Sequence, residues 1–321
     1  MMKELVANEG ENAYFQGNAG LDKTRIDQTL RSIHKRMSEV FHIDFAYFSN
    51  VKIIKRSEIQ NELAQRMRID LEENGIAQSS TQWNQTFETL SKNPMAEIFE
   101  HFAFYNPRDD AVYINEKMLT NPMEKIVSVC AHELAEKLLS TYISSPMKSS
   151  VQPAVKLYFE AKKTDDTKRL HELLDVYIDT VFKTVFKEGC CEAIALKTLS
   201  SMGYQTEVAS LEKELQEGYL KCIGLLSHIE NTRNSGEIHR EATDAEKLTR
   251  EVIRNSQIIK GVAYYLGYPL AEAVLENYGI EGIRFALENN PPLKARYFTN
   301  PRTYLPLLEK TKLPNQTEEV R

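Results

Sequence analysis

Residues 126–139 read IVSVCAHELAEKLL, an apolar stretch that carries His132, Glu133 and Glu136 within five positions. Ile126, Val127, Val129, Cys130, Leu134, Leu138 and Leu139 surround them and predict a helix buried on nearly every face. A charged triplet inside such a helix is costly unless each group is paired or bound to an ion. The rest of the chain must therefore bring partners to this segment. Positions i and i+4 share a helix face, so His132 and Glu136 project together. Glu133 lies about 100° further round the axis. An HExxH helix uses the same layout to hold an ion, with its glutamate as general base toward a bound water. Here a glutamate stands where that pattern has its second histidine.

The flanking sequence predicts how this helix is housed. Residues 23–42 are amphipathic, with Leu30, Ile33, Met37 and Val40 at helical spacing. Residues 43–55 are aromatic and β-branched and predict one or two strands, divided at Ser49-Asn50. Helices are expected over 57–75 and 87–101, with a polar loop over 76–86. The run 102–115, FAFYNPRDDAVYIN, predicts a hairpin turning on Asn106 to Asp110. Pro122 suits the first turn of a helix running to about Tyr142.

Three or four helices follow over 148–229, broken at Met202-Gly203, then a polar loop over 230–243. Helices are expected from 244 to about Gly267 and over 269–277, Gly279 and Gly282 punctuate the next, and the end is loop-like, with NNPP at 289–292 and then Asn300-Pro301. Few, early strands and many later helices predict an α+β, mostly helical fold rather than a βαβ alternation. The domain reading is a disordered leader or tag remnant over 1–22, a single domain over 23–305, and a C-terminal tail over 306–321.

Net charge −6, with basic and acidic residues intermixed, lacks the basic stripe of a nucleic-acid binder. Apolar runs fall short of the ~18 residues of a membrane helix. Cys130, Cys190, Cys191 and Cys222 form no C-x-x-C pair and read as small buried hydrophobes in a reducing, cytoplasmic setting. No signal peptide is visible. Residues 11–17, ENAYFQG, resemble a viral-protease cleavage site; if they are a processing scar, a native signal would have been lost.

A second carboxylate pair, Glu188 and Glu192, stands at i and i+4 in KEGCCEAIAL, residues 187–196, where Gly189 permits close approach of a neighbouring element. A third segment, 261–305, carries Tyr264-Tyr265 and the PP…NP-x-x-YL ending. The order of these motifs, AHELAEKL, then EG-x-x-E, then the tyrosine and proline signatures, resembles the gluzincin class of zinc metallopeptidases over roughly residues 43–305. The resemblance implies a zincin-like fold with a small N-terminal sheet packed on the HExxE helix. It implies His132, Glu136 and Glu188 as metal ligands and Glu133 as general base. Glu192 would orient a ligand from behind. Tyr264 or Tyr265 would be the oxyanion donor.

The implied cofactor is zinc, with manganese, another divalent ion or no ion as alternatives, since Glu136 for histidine makes the centre less positive and harder. The implied activity is peptide hydrolysis, with a peptide or protein as substrate. The alternative is an inactive zincin-like pseudo-enzyme that binds a partner. Among other candidates, His171-Glu172-Leu173-Leu174-Asp175 reads as a solvated helix face. His101, His228 and His239 read as lone histidines, and Cys190 points about 200° away from Glu188 on a helix.

Overall fold

The computed structural model describes residues 23–55, 58, 65, 69, 103–143, 167–234, 259 and 262–310. The leader over 1–22, the loop over 76–86, the helix over 87–101, and residues 148–166 and 235–258 lie outside the described residues, as does most of the helix expected over 57–75.

Helix α1 (Lys23–Phe41) buries Ile26, Leu30, Ile33, Met37 and Phe41, one apolar stripe at helical spacing. The chain then runs without regular structure to β1 (Asn50–Ile54). The strand expected from residue 43 therefore starts later. Phe45 and Phe48 are instead buried in the core, and the Phe45 carbonyl bonds His34 Nε2 at 2.7 Å. β2 (Ala103–Asn106) and β3 (Ala111–Asn115) pair antiparallel as a hairpin. Asp110 closes its turn at φ 49°, a left-handed conformation that aspartate tolerates. β1 joins β3 in parallel, Val51 against Val112 and Ile53 against Ile114, giving the order β1-β3-β2.

Helix α2 (Met123–Tyr142) is the centre of the molecule. α1, β2 and α3 (Thr167–Ser201) all pack against it. Ile126, Val127, Cys130, Ala131, Leu134, Ala135, Leu138 and Leu139 are all buried, and so are Glu133 and Lys137. α3 ends at the expected break, where Gly203 takes φ 95°. α4 (Gln205–Cys222) and α5 (Gly224–Asn234) follow. α5 continues five residues, 230–234, into the stretch expected as loop. Ile229 just before them is buried, and Glu230 Oε2 accepts from the Ala295 N–H at 3.0 Å.

The largest correction concerns α6 (Ala263–Asn289), which runs through both Gly267 and Pro269 and kinks only at Gly279, φ 63°. Gly267 does not end a helix; it lets α6 lie against α3. A Cβ on Gly267 would stand 1.9 Å from the Val185 carbonyl oxygen, and one on Gly189 would stand 2.1 Å from the Gly267 carbonyl carbon. The two backbones therefore touch one residue beyond Glu188. Residues 295–310 are also more regular than the loop expected there. α7 (Ala295–Thr299), a 3₁₀ turn at Pro301–Thr303 and α8 (Leu305–Lys310) bring Phe298, Tyr304 and Leu308 into the core. Packing thus continues past residue 305. The fold is α+β and mostly helical, and among the described residues no helix is long and apolar enough to cross a membrane.

The α3–α6 crossing gives a direct expectation. Gly267→Ala should destabilise the protein by about 3 kcal/mol or more, because its methyl meets backbone rather than a movable side chain. Urea unfolding would show this as a lowered midpoint. An unchanged midpoint would mean that the two helices can part freely there.

Candidate functional site

Helix α2 presents two charged stripes to two different neighbours, as the 100° step between His132 and Glu133 requires. The Glu133–Lys137 stripe meets the hairpin. Glu133 is 5% exposed and accepts a hydrogen bond from the Tyr105 N–H of β2. Lys137 forms an ion pair with Asp110 of the hairpin turn and lies 5.6 Å from the centroid of the Tyr105 ring. Asp110 also accepts from Ser49 Oγ at 2.8 Å and from the Tyr105 hydroxyl at 3.1 Å. These contacts anchor the sheet to α2.

The His132–Glu136 stripe meets α3. His132 Nδ1 lies 3.0 Å from Glu192 Oε1, and Nε2 lies 3.3 Å from Glu188 Oε2. The two carboxylates, one helical turn apart on α3, hold the imidazole from both ends. Glu136 forms an ion pair with Lys187, whose Nζ is also 3.9 Å from Glu188 Oε1. The ammonium thus lies between a carboxylate of α2 and one of α3. His132, Glu136, Lys187, Glu188 and Glu192 keep 16–25% of their side-chain surface accessible, so the centre can be reached from solvent.

Burial opposes every charge here, and the partners decide the outcome. For His132, burial alone would lower the pKa, but the charges and hydrogen bonds of Glu192 and Glu188 hold it well above its ordinary value. Burial also works against the Lys187 ammonium, and the charges of Glu136 and Glu188 outweigh it. Glu188 is pushed up by burial yet ends below its ordinary value, through its hydrogen bond to His132 and the charges of Lys187 and His132. Glu133 has no such help. Burial, then the negative charges of Glu136 and Glu188, push it up to about 8, and His132 offsets only part. Its Oε2 is buried without a hydrogen-bond partner.

Of the three side chains that the resemblance assigns to an ion, the structure brings two together. His132 Nε2 and Glu188 Oε2 stand at the spacing of two donors each bound about 2 Å from one centre. Glu136 is turned to Lys187 instead, so the three-ligand set does not fit an ion in this arrangement. Among the described residues no group of three or more His, Cys, Asp and Glu side chains is placed to hold one. Glu192 does contact the ring nitrogen of His132 that faces away from Glu188.

The two tyrosines differ. Tyr265 donates to Glu214 Oε1 at 3.1 Å, and its ring lies where a side chain on Gly218 of α4 would be. Tyr264, with its ring centroid 4.1 Å from that of Tyr265, is the one that feels the charge of Glu192. His171 lies on the same unbroken α3 as Glu188, 17 residues away, which is about 25 Å. Cys130, Cys190 and Cys191 are buried free thiols. His228 sits on α5, and His101 and His239 lie outside the described residues.

Lys187 is the member of the centre that the motif reading passed over. Its signal was in plain view, as the lysine directly before Glu188 in KEGCCE. A glutamate at the second ligand position calls for a cation from some neighbour, and this is the one that α3 supplies. Comparison with family models, curated proteins and solved structures finds no match to this chain.

Glu133 should leave a mark on stability against pH. Between the ordinary carboxylate range and about pH 8 the folded chain holds one more proton at Glu133 than the unfolded chain. Stability therefore falls as pH rises through that window. His132 acts with the same sign, but its contribution is complete below about pH 6.5 and is lost only as pH rises toward its raised value. Glu188 acts oppositely, losing its contribution in acid. The range from pH 5 to 6.5 isolates Glu133. There, Glu133→Gln should gain on the parent by up to about 1.4 kcal/mol per pH unit. Urea unfolding at pH 5, 6.5 and 8 measures this, and a pH-independent difference would show that Glu133 is ionised in the folded chain.

Proposed function

We propose that this chain is a zincin-like protein without peptidase chemistry, whose centre between α2 and α3 is a self-compensated charge network and which acts by binding a peptide or protein partner. The observation that carries this reading is the Lys187 ammonium on Glu136. An ion at His132 and Glu188 would need a third protein donor, and the carboxylate in that position already has a cation. His132 meets a carboxylate at each ring nitrogen, so neither nitrogen is turned outward to a ligand. The partial exposure of the centre leaves these charges available to a partner at their outer edge.

A second reading, a metal-dependent peptidase, is favoured by one observation. The unpartnered, buried Oε2 of Glu133 belongs to the side chain to which the gluzincin resemblance assigns proton abstraction. Two measurements on the full chain separate the readings. After equilibration with zinc or manganese and dialysis, elemental analysis should find well below one equivalent of either ion, and a peptide library should survive intact. One bound equivalent, together with cleavage that Glu133→Gln abolishes, would overturn the non-catalytic reading in favour of the second.

A further inference from the structure

We infer that the Lys187 ammonium takes the place of a divalent cation, and that neutralising it opens a latent divalent-cation site formed by His132, Glu136 and Glu188. The inference rests on the metal-free reading above and assigns one side chain as its cause. Lys187 lies between the carboxylates of Glu136 and Glu188. The third donor, His132 Nε2, already stands 3.3 Å from Glu188 Oε2. Glu136 and Glu188 thus both face the ammonium, and His132 Nε2 adjoins Glu188.

A separate observation concerns the neighbouring stripe of α2. Glu133 Oε2 is buried with no hydrogen-bond partner, and its carboxyl feels the charges of Glu136, His132 and Glu188. A buried carboxyl oxygen without a partner, within electrostatic reach of three ligating groups, would suit the water of a bound ion. Lysine meets part of that demand. It brings one charge, and its Nζ lies close to Glu136 but 3.9 Å from Glu188. A divalent ion would bring two charges and accept all three donors at once. One nitrogen and two carboxylates suit zinc or manganese.

Position on the helix explains why this lysine serves. Residue 187 precedes Glu188 by one step, so the two side chains leave α3 about 100° apart. The flexible stem of lysine then returns the ammonium to the face where Glu188 meets α2. Methionine has a similar length and no charge. Lys187→Met therefore removes the cation while keeping most of the volume, and leaves Glu136 without compensation. Losing one partner of a buried pair is strongly destabilising, and an added divalent ion is the natural remedy.

The test compares the parent, Lys187→Met and the double variant Glu136→Gln/Lys187→Met, each as the full chain, by thermal unfolding with and without zinc or manganese. Elemental analysis after dialysis gives the second readout. Lys187→Met should unfold at a lower temperature than the parent. It should then gain roughly 4 °C at an ion concentration a hundred times the Kd, and retain about one equivalent. The parent and the double variant should gain nothing, and the double variant should recover stability without the ion.

No gain in Lys187→Met, with none in the parent, would overturn this inference and leave the metal-free reading standing. Equal uptake by the parent would overturn both. The same gain in the double variant would remove Glu136 from the site and overturn the assignment. Should Lys187→Met not accumulate as folded protein, Lys187→Gln, which keeps a hydrogen-bond donor without the charge, carries the same comparison with the same outcomes.

Discussion

A largely buried helix cannot carry unpaired charge at little cost, and α2 carries four ionisable groups between residues 132 and 137. Much of the architecture follows from how these are compensated. Lys137 draws in Asp110, and Asp110 in turn holds Ser49 at the entrance to β1 and the Tyr105 hydroxyl of β2. His132 and Glu136 draw in Glu188, Glu192 and Lys187 from α3. The sheet and the long helix are thus fixed to two separate flanks of α2 by polar contacts set within an apolar core. Apolar burial supplies the larger stabilisation, but it is non-directional. The ion pairs are candidates for what sets rotation and height of each neighbour, since each reaches only one partner geometry.

The height of α3 has a second determinant. Gly189 and Gly267 bring the α3 and α6 backbones into contact, and Gly189 directly follows Glu188. The packing of α6 therefore locates the carboxylates that meet His132. α6 also brings Tyr264 within reach of the Glu192 charge. Three helices consequently share in placing the centre, although only α2 and α3 contribute its ion pairs. A buried ion pair adds little net stability compared with an apolar replacement, yet losing one partner is severe. That asymmetry fits a network in which every charge is held by another: His132 between Glu192 and Glu188, and Lys187 between Glu188 and Glu136.

Glu133 stands apart from this accounting. It receives the Tyr105 N–H but no cation, and burial together with neighbouring carboxylates keeps its proton on at neutral pH. It is the least satisfied group of the centre. The inferred latent ion site and the peptidase reading both turn on it for that reason, while Lys187 turns the balance toward a centre that is complete without a ligand.

Local signals in the chain set most of these elements and much of their chemistry. Helical spacing located α1 and α2, the Asn106 to Asp110 turn located the hairpin, and the i, i+4 pairs placed His132 beside Glu136 and Glu188 beside Glu192. These signals are local, because periodicity and turn preference depend on near neighbours along the chain. Where a residue had a distant partner, local reading went astray. Gly267 and Pro269 looked like helix punctuation but lie inside α6, because close packing on α3 outweighs their helix-breaking tendency. The residues after NNPP looked like loop but hold Phe298, Tyr304 and Leu308 in the core. The cation that Glu136 meets is settled by packing between distant parts of the chain. Lys187 is 51 residues away in sequence, and which of its rotamers reaches α2 depends on how α3 is seated by α6. Charge demand is written in the sequence; the choice of the group that answers it belongs to the packing.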